Sequence, residues 1–219
     1  LKRLEGSGLW IDTWLRHQRR DAFWKHGSVC EDFSAIQCPV FAVGGWADGY
    51  SNAIPRLLAG LKVPRLAWIG QWAHRYPHMA APGPTVGFLQ EAVRWWNHWL
   101  RGQDTGIMNR PMLRAFMQDH VPPRALLPSV SGRWVAEAVW PSASIEPQRW
   151  FLNAGRLELS AGRATTLAIR SPLDTGLHAG RWCAHGLGPD LPTDQRLDDS
   201  GSLVFDSEAF TTRVELLGA

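Results

Sequence analysis

Two short apolar runs, Pro39-Val-Phe-Ala-Val-Gly and Arg65-Leu-Ala-Trp-Ile-Gly70, are separated by a single helical stretch. Neither run alternates polar with apolar residues, as a strand with one wet face would. Both read as parallel strands covered on both faces. Between them, Ser51 to Leu61 sets Ile54, Leu57, Leu58 and Leu61 on one side of a helix. Pro55 falls in its first turns, where proline is tolerated, and Gly60 and Pro64 mark its end. A strand–helix–strand unit of this size closes as a right-handed parallel crossover. The chain is therefore expected to contain an α/β sheet.

Each strand runs into a loop that carries a residue able to handle protons. The first continues as Gly-Gly-Trp-Ala-Asp48, the second as Gly-Gln-Trp-Ala-His74, and the two end residues lie twenty-six positions apart. A histidine that takes a hydroxyl proton and returns it to a leaving group needs a carboxylate, which fixes its tautomer and stabilises the imidazolium. In α/β-hydrolases the chain order is nucleophile, acid, histidine. Asp48 and His74 follow that order as catalytic residues, and no convincing nucleophile precedes them. The competing reading makes Asp48 a turn residue and His74 a loop histidine. Gly49-Tyr-Ser-Asn-Ala53 approaches the G-x-S-x-G elbow. However, Trp46, Ala47 and Asp48 separate it from the strand, and Ala53 stands where close packing favours glycine. Ser51 is read instead as a helix N-cap. Trp46 and Trp72 flank the two catalytic residues and are expected to line a substrate pocket. His74 and His78 are four apart, but Pro77 lies between them and no HExxH glutamate is present, so neither metal nor cofactor is expected.

Composition sets further bounds. The chain has 219 residues, 45% hydrophobic and 20% charged, with a net charge of +3, as in an ordinary globular protein. Residues 1–125 carry a net +6 and residues 126–219 a net −3. Only Arg16, Arg19 and Arg20 cluster, too few for a nucleic-acid face. No apolar run approaches the ~20 residues of a membrane span. No signal peptide is visible, and location stays open with the cytoplasm favoured. Cys30, Cys38 and Cys183 are an odd number without zinc spacing and are expected to be reduced and buried.

Elsewhere, residues 10–26 have roughly helical spacing, 75–84 form a proline-rich loop, and Val86 to Leu100 form an amphipathic helix stopped by Gly102. Its expected inward stripe is Phe88, Leu89, Ala92, Val93, Trp96, Trp99 and Leu100. Pro111 to Met117 reads as another strand. After Pro122-Pro123 the character changes to short strands at Arg133–Trp140, Arg149–Leu152, Arg156–Leu159, Ser202–Phe205 and Val214–Leu217. That pattern suits a sandwich or jelly roll, with the boundary near 120–132. The expected fold class is thus α/β, with an all-β part after it. Thirteen tryptophans allow a non-catalytic alternative, in which Trp134, Trp140, Trp150 and Trp182 grip a sugar or peptide.

Five stretches resemble the cocaine esterase/X-Pro dipeptidyl-peptidase group of α/β-hydrolases and their acyl-hydrolase relatives. Asp21-Ala-Phe-Trp24 is similar to an element near the end of that group's cap region. Val43-Gly-Gly-Trp-Ala-Asp48 and Ile69-Gly-Gln-Trp-Ala-His74 are similar to its acid and histidine strands, with Gln71 in place of the usual proline. Trp95-Trp-Asn-His-Trp-Leu-Arg-Gly102 is similar to the helix that follows, and Asp199-Ser-Gly-Ser-Leu-Val-Phe-Asp206 to a signature of its jelly roll. The resemblance implies a serine-type acyl hydrolase acting on a small ester or amide or a short peptide, without cofactor, nucleic acid or membrane. In that group the serine and an oxyanion-hole tyrosine lie upstream of the cap helices. The chain is accordingly read as the C-terminal portion of an α/β-hydrolase domain, 1–125, followed by a truncated jelly roll, 126–219. Such a piece is expected to be inactive alone, and its unpaired strand edges are expected to favour a homo-oligomer.

Overall fold

A computed structural model describes residues 2–218 of the chain. Three short helices come first: α1 (Lys2–Ser7), α2 (Trp10–Arg16) and α3 (Ala22–His26). The helical spacing of residues 10–26 is thus divided in two. His17 ends α2, and Asp21 starts α3 by accepting from the Phe23 N–H at 3.0 Å. A local cap of this kind outcompetes continuation of the helix.

The crossover unit follows as β1 (Val40–Gly45), α4 (Ala53–Gly60) and β2 (Arg65–Gly70). The N-cap of α4 is Asn52, without a side-chain capping bond, so Ser51 does not serve as the expected cap. After β2 come α5 (Phe88–Arg101), β3 (Leu113–Gln118) and β4 (Gly132–Glu137). Gly102 stops α5 in the left-handed conformation, φ 65°, which glycine adopts without steric cost. The four strands form one sheet in the order β1-β2-β3-β4. β1–β2 and β2–β3 are parallel and β3–β4 is antiparallel.

Alternation along the strands divides the core. Ala42, Ala67, Ile69, Leu113 and Ala115 face Ile54 and Leu58 of α4, and Trp140 closes that layer. Phe41 and Leu66 point the other way, to Trp95 and Trp99 of α5. Successive strand residues point to opposite faces, so the two helices cover opposite sides. β2 sits between two neighbours and under both layers. Its buried run from Leu66 to Gly70 matches the two-faced burial expected of it.

The expected stripe on α5 is only half right. Trp95 is buried, with Phe88 and Trp99 beside the core, whereas Leu89, Val93, Trp96 and Leu100 are exposed. The apolar arc of this helix is wide and only its Phe88, Trp95 and Trp99 side packs on the core, so periodicity alone does not identify which part of the arc faces inward.

Beyond β4 regular structure is sparse. β5 (Phe151–Asn153) pairs antiparallel with β6 (Arg156–Glu158), and α6 (Arg196–Asp199) is one turn. The strands expected at 202–205 and 214–217 do not form, because those segments find no ladder partner; a single bridge joins Asp206 to Arg156. β4 was expected to belong to the all-β part, yet it lies on the edge of the α/β sheet.

Candidate functional site

β1 and β2 pair with Val40 opposite Arg65 and Gly45 opposite Gly70, an offset of twenty-five residues. Backbone bonds continue the ladder past the strand ends, from Trp46 N–H to Gly70 O (2.7 Å) and from Ala47 N–H to Trp72 O (3.3 Å). On that register Asp48 lies opposite position 73, one residue from His74. The twenty-six-residue spacing therefore brings the two side chains together. A Cβ on Gly45 would overlap the Trp72 carbonyl, so glycine is needed for the strand ends to approach this closely.

His74 Nδ1 lies 2.9 Å from Asp48 Oδ2. An ionised carboxylate can only accept, so Nδ1–H is the donor and Nε2 is left with its lone pair. The other oxygen, Oδ1, accepts from the Tyr50 N–H at 3.1 Å, so both Asp48 oxygens are committed. The Asp48 side chain is 11% exposed and that of His74 48%: a shielded acid supports an accessible imidazole. Among the described residues, Asp48 is the only hydrogen-bond partner of the His74 ring. Ser51 instead lines a groove of about 1220 Å³ with Trp46, Pro55 and Trp140. That groove includes neither Asp48 nor His74.

Three tethers fix His74. Its backbone N–H donates to Ala184 O at 2.8 Å, and the Ala73 N–H donates to Ala81 O at 2.9 Å. Gln71, 1% exposed, donates from Nε2 to Pro84 O at 2.7 Å and Pro82 O at 3.3 Å. The glutamine at the position of the usual proline thus ties the 81–84 loop to the end of β2. Ala73 also packs with Ala184 and Leu191 in a small buried cluster.

The segment around Ala184 brings residues that sequence reasoning did not connect with the site. Buried Asp190 accepts from the backbone N–H groups of His185 (2.8 Å) and Gly186 (3.1 Å) and so shapes the turn. Cys183 lies within 4.8 Å, ligand atom to ligand atom, of Asp48 and His74. The His185 ring stands 5.7 Å from the His74 ring, centroid to centroid. Tyr50 lies between His74 and the exposed Trp182, at 5.8 and 5.0 Å. These residues sit in irregular loops, and no local sequence pattern reveals their placement.

The other expected residues are dispersed. Trp46 is half-buried, donates to Phe116 O at 2.8 Å and lines the groove. Trp72 is 1% exposed and packs among Gly45, Gly70 and Trp134. His78 stacks with Tyr76 and Phe88. All three cysteines are free, as expected, but Cys30 and Cys38 are exposed rather than buried. Of the four tryptophans in the non-catalytic alternative, Trp140 is buried with its N–H on Pro55 O, and Trp134 packs against Trp68, Trp72 and Phe116. Trp150 is half-buried, and only Trp182 is strongly exposed. Among the described residues, no helix is long and apolar enough to cross a membrane.

Comparison with known proteins places this geometry in context. No curated protein matches the chain in sequence. Two crystal structures of a CocE/NonD family hydrolase from Staphylococcus aureus share the fold, with TM-scores of 0.51 and 0.52 at 14% identity. The match covers 69% of this chain and 26% of those proteins, so the chain spans about a quarter of the length of these solved relatives. The family model for X-Pro dipeptidyl-peptidase (S15 family) matches residues 1–76, including Asp48 and His74. The model for the X-Pro dipeptidyl-peptidase C-terminal non-catalytic domain matches residues 105–219. This second match alone spans more than half of the sequence, and the chain belongs to the X-Pro dipeptidyl-peptidase family.

Proposed function

We propose that the chain supplies the acid and the base of a serine-type acyl hydrolase. His74 takes the proton of a serine hydroxyl through Nε2 as that oxygen attacks an ester or amide carbonyl, then returns it to the leaving group. Asp48 holds the Nδ1–H tautomer and stabilises the imidazolium. The observation that carries this reading is the 2.9 Å Asp48–His74 contact, built on the carboxyl ends of adjacent parallel strands, with no partner on Nε2 among the described residues. The serine belongs to a part of the protein outside these 219 residues, so the chain by itself forms no acyl-enzyme and is inactive. Residues 1–125 contribute to the hydrolase domain, β4 extends its sheet, and the remainder of residues 126–219 contributes to a β-sandwich of jelly-roll type. The substrate is a small ester or amide or a short peptide.

Fluorophosphonate labelling with peptide mapping tests this. In the intact protein the label is expected on a serine outside residues 1–219. His74→Ala is expected to abolish labelling, and Asp48→Asn to lower kcat by ~10³–10⁴-fold. Labelling of Ser51 in the folded 219-residue chain, or full labelling of the His74→Ala protein, would overturn the assignment.

A further inference from the structure

We propose that Asp48, His74 and Cys183 together form a binding site for a thiophilic divalent cation, with zinc as the cation that fits. The three residues offer one carboxylate oxygen, one imidazole nitrogen and one sulfur, all within 4.8 Å of one another. This is a donor set that zinc takes, and the sulfur discriminates against magnesium and calcium. A tetrahedral zinc with bonds of ~2.0–2.3 Å holds its ligand atoms ~3.3–3.8 Å apart. The longest separation here therefore has to close by no more than ~1.5 Å. One rotamer change moves a cysteine sulfur further than that.

The arrangement is tethered. The His74 N–H donates to the carbonyl of Ala184, the residue after Cys183, at 2.8 Å. Asp190 holds the next two residues of the same turn. Asp48 and His74 are fixed by the β1–β2 register. The ordering of three distant segments is thus complete before a cation arrives, which lowers the entropy lost on binding. Half-exposed His74 gives the cation a way in. Three protein ligands leave a fourth position for water, and the His185 ring stands 5.7 Å from that of His74, centroid to centroid.

Binding takes the Cys183 thiol proton to solvent and, because Nδ1 is the His74 nitrogen beside Asp48, moves the Nδ1 proton to Nε2. No electron is transferred. The consequence for hydrolysis rests on the function proposed above: a ligated His74 is held away from proton transfer, so zinc would act as an inhibitor. The binding itself does not rest on that function.

The test uses the folded 219-residue chain, with cobalt(II) as the spectroscopic probe and zinc measured in competition with a chromophoric chelator. The expected result is uptake of one equivalent, with a thiolate-to-cobalt charge-transfer band in the near ultraviolet that zinc abolishes. Cys183→Ser is expected to remove the band, and Cys183→Ser, Asp48→Asn and His74→Ala are each expected to weaken zinc by ~10-fold or more. Each variant is checked for folding by circular dichroism. The double variant Cys30→Ser/Cys38→Ser keeps both the band and the affinity. A band that persists in Cys183→Ser, or no zinc uptake by the folded wild type at millimolar concentration, would refute the site. If zinc binds as described while fluorophosphonate labels Ser51, the cation site stands and the proposed catalytic roles fall.

Discussion

Replacing Gln71 with glutamate tests how the end of β2 is held beside His74. Gln71 Nε2 donates to Pro84 O at 2.7 Å and Pro82 O at 3.3 Å, and its own Oε1 is buried without a partner among the described residues. An ionised glutamate there has no hydrogen to donate. It would face two carbonyl oxygens at 1% exposure. The protonated form keeps one O–H for Pro84 and is therefore favoured. Burial of this degree raises a carboxyl pKa by up to ~3–5 units, from ~4.3 in the unfolded chain. At ~1.4 kcal/mol per unit the charged form is destabilised by up to ~4–7 kcal/mol. That is a large part of a domain's total stability. The direction with pH follows from the raised value. Below pH ~4.3 both states are protonated and the penalty is absent. Above it the folded state holds a proton that the unfolded state has lost, so stability falls as pH rises until the folded pKa is passed. The assay is urea unfolding of Gln71→Glu and wild type at matched pH from ~4.5 to ~8, read as the difference between them. Gln71→Leu is the control. It abandons two carbonyls, one of which (on Pro84) can turn to water, but also removes the orphaned Oε1, so its net change stays within ~1 kcal/mol. Parallel pH curves for Gln71→Glu and wild type would show that water reaches the site and refute the argument.

Gly45→Ala should cost ~1–3 kcal/mol by overpacking against the Trp72 carbonyl, seen as a lower urea midpoint; an unchanged midpoint would mean that the strand ends can separate freely. Cys30 should alkylate with iodoacetamide at a lower pH than an ordinary thiol, because the Ser28 hydroxyl and the Arg20 guanidinium hold its pKa down; a half-maximal rate at the usual thiol pH would contradict this. Asp194→Asn should leave the urea midpoint unchanged although Arg196 lowers that carboxyl to about 2, since the pair is solvent-exposed and screened; a midpoint shift that disappears in high salt would show otherwise.

The crossover unit was legible because every local signal agrees: uninterrupted apolar strands, a one-sided helix, and proline and glycine at its ends. The Asp48–His74 pair was legible because the parallel register converts a sequence spacing into a spatial one. Other features depend on contacts that no local pattern encodes. The apolar arc of α5 is wider than the sheet it packs on, so only the packed structure shows that Trp95 is inside and Trp96 outside. β4 reads as an isolated strand, and only its pairing with β3 puts it in the α/β sheet. Cys183 and His185 come to the site through a carbonyl from Ala184 and a turn held by Asp190, and nothing adjacent in sequence announces either.

The hydrogen bond from His74 to Ala184 spans 110 residues of chain. During synthesis at ~5–20 residues per second, its acceptor emerges ~5–20 s after the histidine itself. Throughout that interval the strands that carry Asp48 and His74 are already available to pair, while the turn that closes over them does not yet exist. The Asp48–His74 pair is thus encoded well ahead of the turn that holds His74 and brings in Cys183.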